Sequence, residues 1–354
     1  MNPTDLTEPE YSLLSQPERE TLLTEIAAEI NAESCRYATF NRFGRGISTA
    51  IFDIEGSEFV FVPGATITLG WDGFKSEPQP DMWLDLAESF EDGTDDEVLD
   101  TAFSPDFRNQ LTQTFLANTT PKQECTIPPM LVERTAQNPC WREVALDTLP
   151  PDSYAHELIR AGEADNVLAV TAYQNMRVSR TDLQAPWRVE LFDAPTFAQL
   201  NASIEAAGFF LPTMREWEYL AGGGCATLAA WGDSIDFDSI MVTSATNSND
   251  QPRDTDSAVK GVLSEPNFFG LTIASDPYHP ELVSEDDSFT LKGGDGGNAL
   301  CGGAGVAWGF FPATPYFMDY LSDTPPDPNE ALVGHELYRR VKPLAVGCIK
   351  FRGQ

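Results

Sequence analysis

The sequence predicts a single compact domain that mixes helices with short antiparallel strands. Two local patterns indicate this: helices that begin at Ser or Thr caps and carry one apolar stripe, and an alternating stretch interrupted by a Pro-Gly turn. The 354 residues include 26 glycines and 26 prolines, and no repeat, heptad pattern or long linker divides them. With 42% apolar residues, a chain of this length can bury a sizeable core.

The first element is an amphipathic helix. Ser15 and Glu18 form a capping box, which predicts a helix over about 16–31. Its apolar stripe consists of Leu22, Leu23, Ile26, Ala27 and Ile30. Such a helix docks either on its own domain or on a partner. We therefore divide the chain into a leading helix and linker, 1–45, and a main domain, 46–354.

Two contrasting stretches follow. Residues 57–70 alternate apolar and polar side chains on both sides of Pro63-Gly64, a type II turn signature, and predict a hairpin. Residues 81–106 are strongly acidic without the ligand spacing of an EF-hand loop, and predict a solvated loop. Ser104 then caps a short helix that runs through Leu116.

The middle of the chain contains one helix with clear boundaries. Residues 141–194 match no pattern that we recognise, apart from a helix near 155–160 and a strand near 167–173, and we interpret them as an elaboration of the domain. Thr196 then caps a helix that Gly208 ends. The apolar face of this helix consists of Phe197, Leu200, Ile204 and Ala207.

The most informative stretch is 209–224, FFLPTMREWEYLAGGG. Thr213 and Glu216 form a capping box that begins a helix at Met214, and the three glycines end it after about two turns. Trp217 recurs with Leu220 and Ala221 at helical spacing, and Trp231-Gly-Asp follows soon after. We predict that both tryptophans are anchors in the core.

The order L-P-T-x-x-E-W-E-Y, Gly-rich turn, W-G-D resembles the corresponding motifs of formylglycine-generating enzymes, also called sulfatase-modifying factors. Further segments agree in the same order: 57–70 with F-V-x-I-P-G-G-x-F-x-M-G, 266–271 with P-N-x-F-G-L, and 291–297 with L-R-G-G-S-W. Residues 127–135 and 346–351 resemble a middle strand and the terminal strand of the family more loosely. The resemblance implies an α+β, C-type-lectin-like fold with short antiparallel strands and extensive irregular loops, which suits the glycine and proline content.

The calcium motif of the family is incomplete here. After P-N-x-F-G-L most members continue Y-D-M-x-G-N-V-W-E-W, whereas this chain continues T-I-A-S-D-P-Y-H-P-E. The resemblance leaves Asn267 and Asp276 as calcium-ligand candidates. Asparagine and aspartate are also common turn residues, and we favour that role for both positions.

The copper site of the family is incomplete as well. Copper-using members carry two cysteines five positions apart after R-G-G-S, which bind Cu(I) as soft thiolates. This chain has Cys301 alone, with Val306 where its partner is needed, although Cys348 on the terminal strand offers a second sulfur. Copper is therefore not expected, and Cys301 is either a weak catalytic candidate or a small residue packed among glycines. The binding-groove candidates of this segment are Lys292, Asp295, Asn298 and Trp308.

Composition excludes several classes of partner. The 55 acidic and 22 basic residues give a formal net charge of −33, which repels nucleic acid phosphates and anionic membranes and favours cationic partners. The amino terminus lacks a secretory signal pattern, so we expect a cytoplasmic protein. Residues 296–318 are uncharged, but their glycines and prolines predict a buried, turning segment instead of a membrane span.

The cysteines and histidines indicate neither a disulfide framework nor a zinc site. Six cysteines spread over the chain predict buried free thiols, and there is no C-x-x-C pair. The three histidines, His156, His279 and His335, lie far apart in the sequence.

Three functions compete. A formylglycine-generating oxidase needs the missing cysteine pair, and a related non-heme iron enzyme needs a His-x-x-x-His-x-Glu motif that does not occur. The third is a module of the same fold that binds a protein or small-molecule ligand through its carboxy-terminal part, and we favour it. The alternative is an oxidoreductase of this class that acts on a cysteine-type substrate.

Overall fold

The computed structural model describes residues 3–90, 94–236, 263, 265–285, 288–318 and 326–344. The helices span Glu10–Leu13 (α1), Gln16–Glu29 (α2), Pro80–Glu88 (α3), Asp95–Ala102 (α4), Pro105–Ala117 (α5), Tyr154–Ala164 (α6), Phe197–Ala206 (α7), Met214–Gly222 (α8), Asn298–Cys301 (α9) and Gly305–Phe310 (α10). The strands span Ser34–Arg42 (β1), Arg45–Ile54 (β2), Ser57–Val62 (β3), Ala65–Leu69 (β4), Gln123–Ile127 (β5), Met130–Glu133 (β6), Trp141–Val144 (β7), Ala169–Ala172 (β8), Met176–Ser179 (β9), Arg188–Phe192 (β10), Glu281–Glu285 (β11), Ser288–Lys292 (β12), Leu337–Tyr338 (β13) and Val341–Pro343 (β14). The predicted terminal strand, with Cys348, lies outside these residues.

The largest sheet has the order β1-β2-β3-β6-β14, and every neighbouring pair in it is antiparallel. Its first three strands form a meander joined by two-residue turns. In both turns, Phe43-Gly44 and Glu55-Gly56, the two residues have φ between 51° and 76°, as in type I′ turns. The fold is therefore α+β with mainly antiparallel sheets, as expected from the sequence.

The predicted hairpin at 57–70 is wrong in its pairing. Both halves are strands, but β3 lies between β2 and β6, whereas β4 pairs with β5 in a separate two-stranded sheet. Gly64 instead contacts the amino terminus, donating its N–H to Leu6 O at 3.0 Å and accepting from Glu8 N at 2.8 Å. A Cβ on Gly64 would lie 2.7 Å from Ile127 O, so glycine is needed for close backbone approach and not for a hairpin turn.

The leading helix is confirmed as α2, with the capping box of Ser15 and Glu18. Leu22, Leu23 and Ile26 are buried in the main core, so the helix docks on its own chain. The stretch predicted to be a linker instead contains a strand, β1, over 34–42.

The acidic stretch was wrongly predicted to be a loop, since most of its described part is helical. Helix α3 buries Met82, Trp83, Leu86 and Ala87 on one face, which leaves its acids on the other. Helix α4 begins at a capping box of Thr94 and Glu97. The helix after Ser104 is confirmed as α5.

Residues 141–192 form a small unit beside the main core. Strands β7, β10, β9 and β8 make an antiparallel sheet in that order, and α6 packs on it. Their buried side chains form a second cluster of Ala155, Leu158, Ile159, Met176, Val178 and Val189. The predicted helix and strand of this region are confirmed as α6 and β8.

Helices α7 and α8 have Thr196 and Thr213 as their N-caps, as predicted, and each cap has its full capping box. Gly223 adopts φ 56° and ends α8. The described part of 296–318 contains α9, α10 and a 3-10 turn, and exposes residues 301–303, so its predicted burial holds only in part. In the residues that the structure describes, no helix is both long and apolar enough to cross a membrane.

Candidate functional site

Helix α8 contacts three of the segments that were compared with family motifs above. The Tyr219 hydroxyl donates to Pro63 O at 3.1 Å, and Asn267 Nδ2 donates to Leu220 O at 2.8 Å. A Cβ on Gly293 would lie 2.8 Å from Cζ2 of Trp217, so the glycine allows the indole to pack against this strand end. Trp217 is fully buried, as predicted. Three segments that are distant in sequence therefore converge on one helix.

Trp231 is only a partial anchor. Its ring is half-buried against the core and its Nε1 donates to Ser234 O at 2.9 Å. The prediction of core anchors therefore holds fully for Trp217 alone.

Lys292 is buried and does not line a groove, contrary to prediction. Its Nζ lies 3.2 Å from Glu218 Oε1 and donates to Phe317 O at 2.5 Å, and both charged side chains have no exposed surface. Arg215 contacts the other Glu218 oxygen at 2.8 Å. Burial lowers the pKa of Lys292, while the Glu218 carboxylate opposes this shift. Lys292 therefore forms an internal ion pair with Glu218.

Asn267 organises a buried turn. Its Oδ1 accepts from the N–H groups of Phe269 at 2.9 Å and Leu271 at 3.2 Å. Because Nδ2 is held by Leu220, the whole amide is engaged within the chain. Its structural role is that of a turn residue.

Asp276 also holds a turn, but at the surface. Its Oδ1 accepts from Tyr278 N at 2.8 Å, and its Oδ2 lies 2.7 Å from His279 Nδ1. Partial burial acts to raise the pKa of Asp276, but the hydrogen bonds from His279 and Tyr278 outweigh it and lower the pKa.

Asp295 holds the neighbouring loop through hydrogen bonds to its backbone, as Asp276 does for its own turn. Its two carboxylate oxygens accept from Gly297 N at 2.8 Å and Ala299 N at 2.9 Å, and its backbone oxygen accepts from Asn298 Nδ2 at 2.8 Å. The two loops touch, because Asp295 N and Gly297 N both donate to Pro277 O. We call residues 276–279 and 295–303 the loop pair.

Cys301 lies on the loop pair and is exposed, which contradicts its expected packing among glycines. Its Sγ–H donates to the Tyr278 hydroxyl at 3.9 Å. Cys301 raises the pKa of Tyr278, because a thiolate at this position would accept the phenol proton and repel a phenolate; Tyr278 is 41% exposed. Cys140 and Cys225 are buried free thiols, as predicted, whereas Cys35 and Cys125 are half-buried.

Trp308 belongs to an aromatic cluster outside the loop pair. Its ring stacks on Phe115 at 5.0 Å and meets Phe311 edge-on at 5.9 Å. The structure therefore brings Asp276, Asp295, Asn298 and Cys301 together, and places Lys292, Asn267 and Trp308 elsewhere.

The sequence did not predict an acidic concavity at 81–106, because this stretch was predicted to be a loop. The concavity has a volume of about 250 Å³ and is lined by Asp81, Leu84, Asp85, Glu88, Asp236 and Val306. Asp85 accepts from Val306 N at 3.0 Å and Ala307 N at 2.6 Å, which ties α3 to α10. Across the described ranges, no three His, Cys, Asp or Glu side chains are arranged to hold a metal ion.

Tyr278 and His279 are the site residues that sequence reasoning did not select. Their only signal is the run Asp276-Pro-Tyr-His, an Asx-turn signature. Chemically, the loop pair offers an exposed thiol, a phenol and an amide on a backbone that two aspartates fix.

Neither comparison with protein-family models nor comparison with curated protein sequences yields a match for this chain.

Proposed function

We propose that the protein is a ligand- or protein-binding module on a divergent formylglycine-generating-enzyme fold of the C-type-lectin-like kind. The convergence on α8 supports the proposed fold. The segments that resemble the family motifs contribute Pro63, Asn267 and Gly293, and each of them contacts this helix. Chance matches scattered along a sequence have no reason to meet in space.

The observation that carries the proposed binding function is the loop pair. Asp276 and Asp295 fix two adjoining backbones that present Tyr278, Asn298 and Cys301 to solvent. Tyrosine supplies a large contact area with little loss of conformational entropy, and asparagine and glycine supply adaptable hydrogen bonding. A rigid base with such side chains is typical of a recognition surface.

The same geometry supports a function other than copper oxidation. Cu(I) in this chemistry requires two converging thiolates. Within the described residues, the polar partner of Cys301 is a tyrosine hydroxyl, and no second thiol lies beside it.

Selection from a displayed peptide library tests the binding proposal. We expect enriched peptides whose affinity falls about tenfold or more with Tyr278→Ala, the loss seen when an aromatic anchor is truncated. Tyr154→Ala is the matched control, because Tyr154 is 45% exposed and lies in the separate unit at 141–192. Peptides that respond equally to both variants, or to neither, would contradict a recognition role for the loop pair.

A second candidate is an oxidoreductase that acts on a cysteine-type substrate, which the exposed Cys301 thiol beside Tyr278 favours. The test is incubation with Cu(I), oxygen and a sulfatase-type cysteine peptide, followed by mass spectrometry. Aldehyde formation that Cys301→Ser abolishes would establish this candidate in place of the binding module. An unmodified peptide is the result that we expect.

A further inference from the structure

Among the residues that the structure describes, no strand pairs with one side of the β1 backbone. Strand β1 is the terminal strand of the five-stranded sheet, and all nine of its residues pair with β2 in a continuous register. Because the turn between them has two residues, Arg42 and Arg45 are a hydrogen-bonded pair, and hydrogen-bonded pairs alternate from there. The backbone N–H and C=O groups of the intervening residues therefore point away from β2. These residues are Cys35, Tyr37, Thr39 and Asn41.

This edge lacks several of the usual devices that block strand addition, and the charged side chains that it does carry, Arg36 and Arg42, are in ion pairs. Natural sheets protect their edges with prolines, bulges, very short strands or a covering element. Strand β1 is nine residues long, contains no proline and has no bulge in its register with β2. No strand of the described ranges pairs with its outer side.

Helix α2 forms a wall beside this edge. The Tyr37 hydroxyl donates to Glu20 O at 3.0 Å and contacts Thr24 Oγ1 at 2.8 Å, which ties the helix to the strand. A concavity of about 240 Å³ lies between them, lined by Gln16, Arg19, Glu20, Leu23, Tyr37, Ala38, Thr39, Ser48 and Thr49. A shallower one of about 460 Å³ adjoins it and is lined by Pro17, Glu20, Thr21, Thr24, Glu25 and Tyr37. Glu20 and Tyr37 line both.

The nearby basic side chains are already engaged. Arg19 Nη2 donates to Leu14 O at 2.9 Å, and it also reaches the carbonyl oxygens of Tyr11 and Ser12. The two arginines of β1 form ion pairs, Arg36 with Glu58 and Arg42 with Glu265.

The shallower concavity is lined by two carboxylates, Glu20 and Glu25, and by no basic side chain. Its acidic lining agrees in sign with the net charge of −33 on the whole chain.

We propose that the outer edge of β1 receives an extended basic segment of a partner protein, which pairs with it as an additional strand. Main-chain hydrogen bonds to the outward groups at positions 35, 37, 39 and 41 supply affinity. Alternate side chains of such a strand fall on the α2 side, where lysine or arginine meets Glu20 and Glu25. A second copy of this chain is a poorer occupant, because it would bring another charge of −33 to the interface.

The test uses a fluorescent nine-residue peptide, TKVKTKVKT, matched to the length of β1 and titrated in fluorescence anisotropy. We expect binding in about 50 mM NaCl that weakens steeply with added salt. The peptide TEVETEVET should not bind. A TKVKTKVKT peptide N-methylated at alternate residues should lose about tenfold or more in affinity, since it cannot complete the ladder.

Two substitutions examine the protein side. Thr39→Pro removes an outward N–H without removing a bond to β2, and should lower affinity about tenfold, whereas Thr39→Ala should stay within about twofold. Glu20→Gln with Glu25→Gln should also weaken binding, while Glu88→Gln, in the acidic concavity at α3, should not. Circular dichroism checks that each variant folds, and the N-methylated peptide tests the ladder even if Thr39→Pro does not fold.

Three outcomes would overturn the proposal. They are equal affinity for the lysine and glutamate peptides, full affinity for the N-methylated peptide, and a dimer in sedimentation that Thr39→Pro dissolves. The last would make a second copy the occupant. Tyr278→Ala should leave peptide binding unchanged, so this result is independent of the function proposed for the loop pair.

Discussion

Replacing Lys292 by methionine probes the buried ion pair under α8 most directly. Methionine matches the lysine side chain in length, so the change removes the charge without opening a large cavity. It leaves the Glu218 carboxylate, which has no exposed surface, with Arg215 as its remaining cation. It also removes the donor to Phe317 O.

The expected cost follows from these contacts. Removing one partner of a buried ion pair costs roughly 3–5 kcal/mol, because the other charge stays buried. The loss of the donor to Phe317 O adds about 1–3 kcal/mol if that oxygen finds no substitute. Arg215 contacts Glu218 at 2.8 Å and offsets part of the penalty. We therefore expect Lys292→Met to lower the free energy of unfolding by about 3–5 kcal/mol, a large fraction of the stability of a typical domain.

Urea unfolding followed by circular dichroism measures this loss, with Arg188→Met as the matched control. Arg188 pairs with Glu143, but their side chains are 61% and 54% exposed, so the control should cost no more than about 1 kcal/mol. The double variant Lys292→Met with Glu218→Gln should be more stable than Lys292→Met alone, because no fully buried carboxylate then remains at this site, and Arg215, which loses its ion pair, has a side chain that is 23% exposed. Equal losses for Lys292→Met and Arg188→Met would refute the burial argument.

Three further predictions rest on other parts of the core and surface. Trp217→Ala should cost about 3–5 kcal/mol, because it empties a fully buried site, and an unchanged urea midpoint would contradict this. Burial raises the pKa of Tyr219, so above about pH 10 the unfolded chain loses this proton first and stability falls as pH rises. Tyr219→Phe should make that fall shallower, whereas Tyr173→Phe, at an 83% exposed site, should not. Iodoacetamide should label the exposed Cys301 in the folded protein. It should label Cys140 only after unfolding, because burial raises the pKa of this thiol to about 12. Similar labelling rates for the two cysteines in the folded protein would contradict this prediction.

Local signals predicted helix boundaries well. The caps at Ser15, Thr196 and Thr213 and the glycine at position 223 satisfy backbone groups within one turn of the helix, so neighbouring residues alone determine them. The strands on either side of Pro63 were predicted equally well, because alternation is also a local property.

Pairing and burial depend on residues that are distant in sequence. Gly64 resembled the second half of a hairpin turn, but its actual constraint is the backbone near Ile127. Lys292 resembled a groove residue because its buried partner, Glu218, lies 74 positions away. Similarly, the acidic residues of α3 led to the prediction of a loop, although the apolar residues between them form one helix face that packs in the core.

The unit at 141–192 leaves the main chain path and returns to it at almost the same point. Asp193 N donates to Cys140 O at 2.8 Å, so the two ends of the excursion are adjacent. Its apolar cluster is separate from the main one, and the other sheets of the described residues contain none of its strands. In terms of chain topology, the segment is an insertion whose two ends are adjacent. A short linker would reconnect the two ends without lengthening the path between β6 and α7.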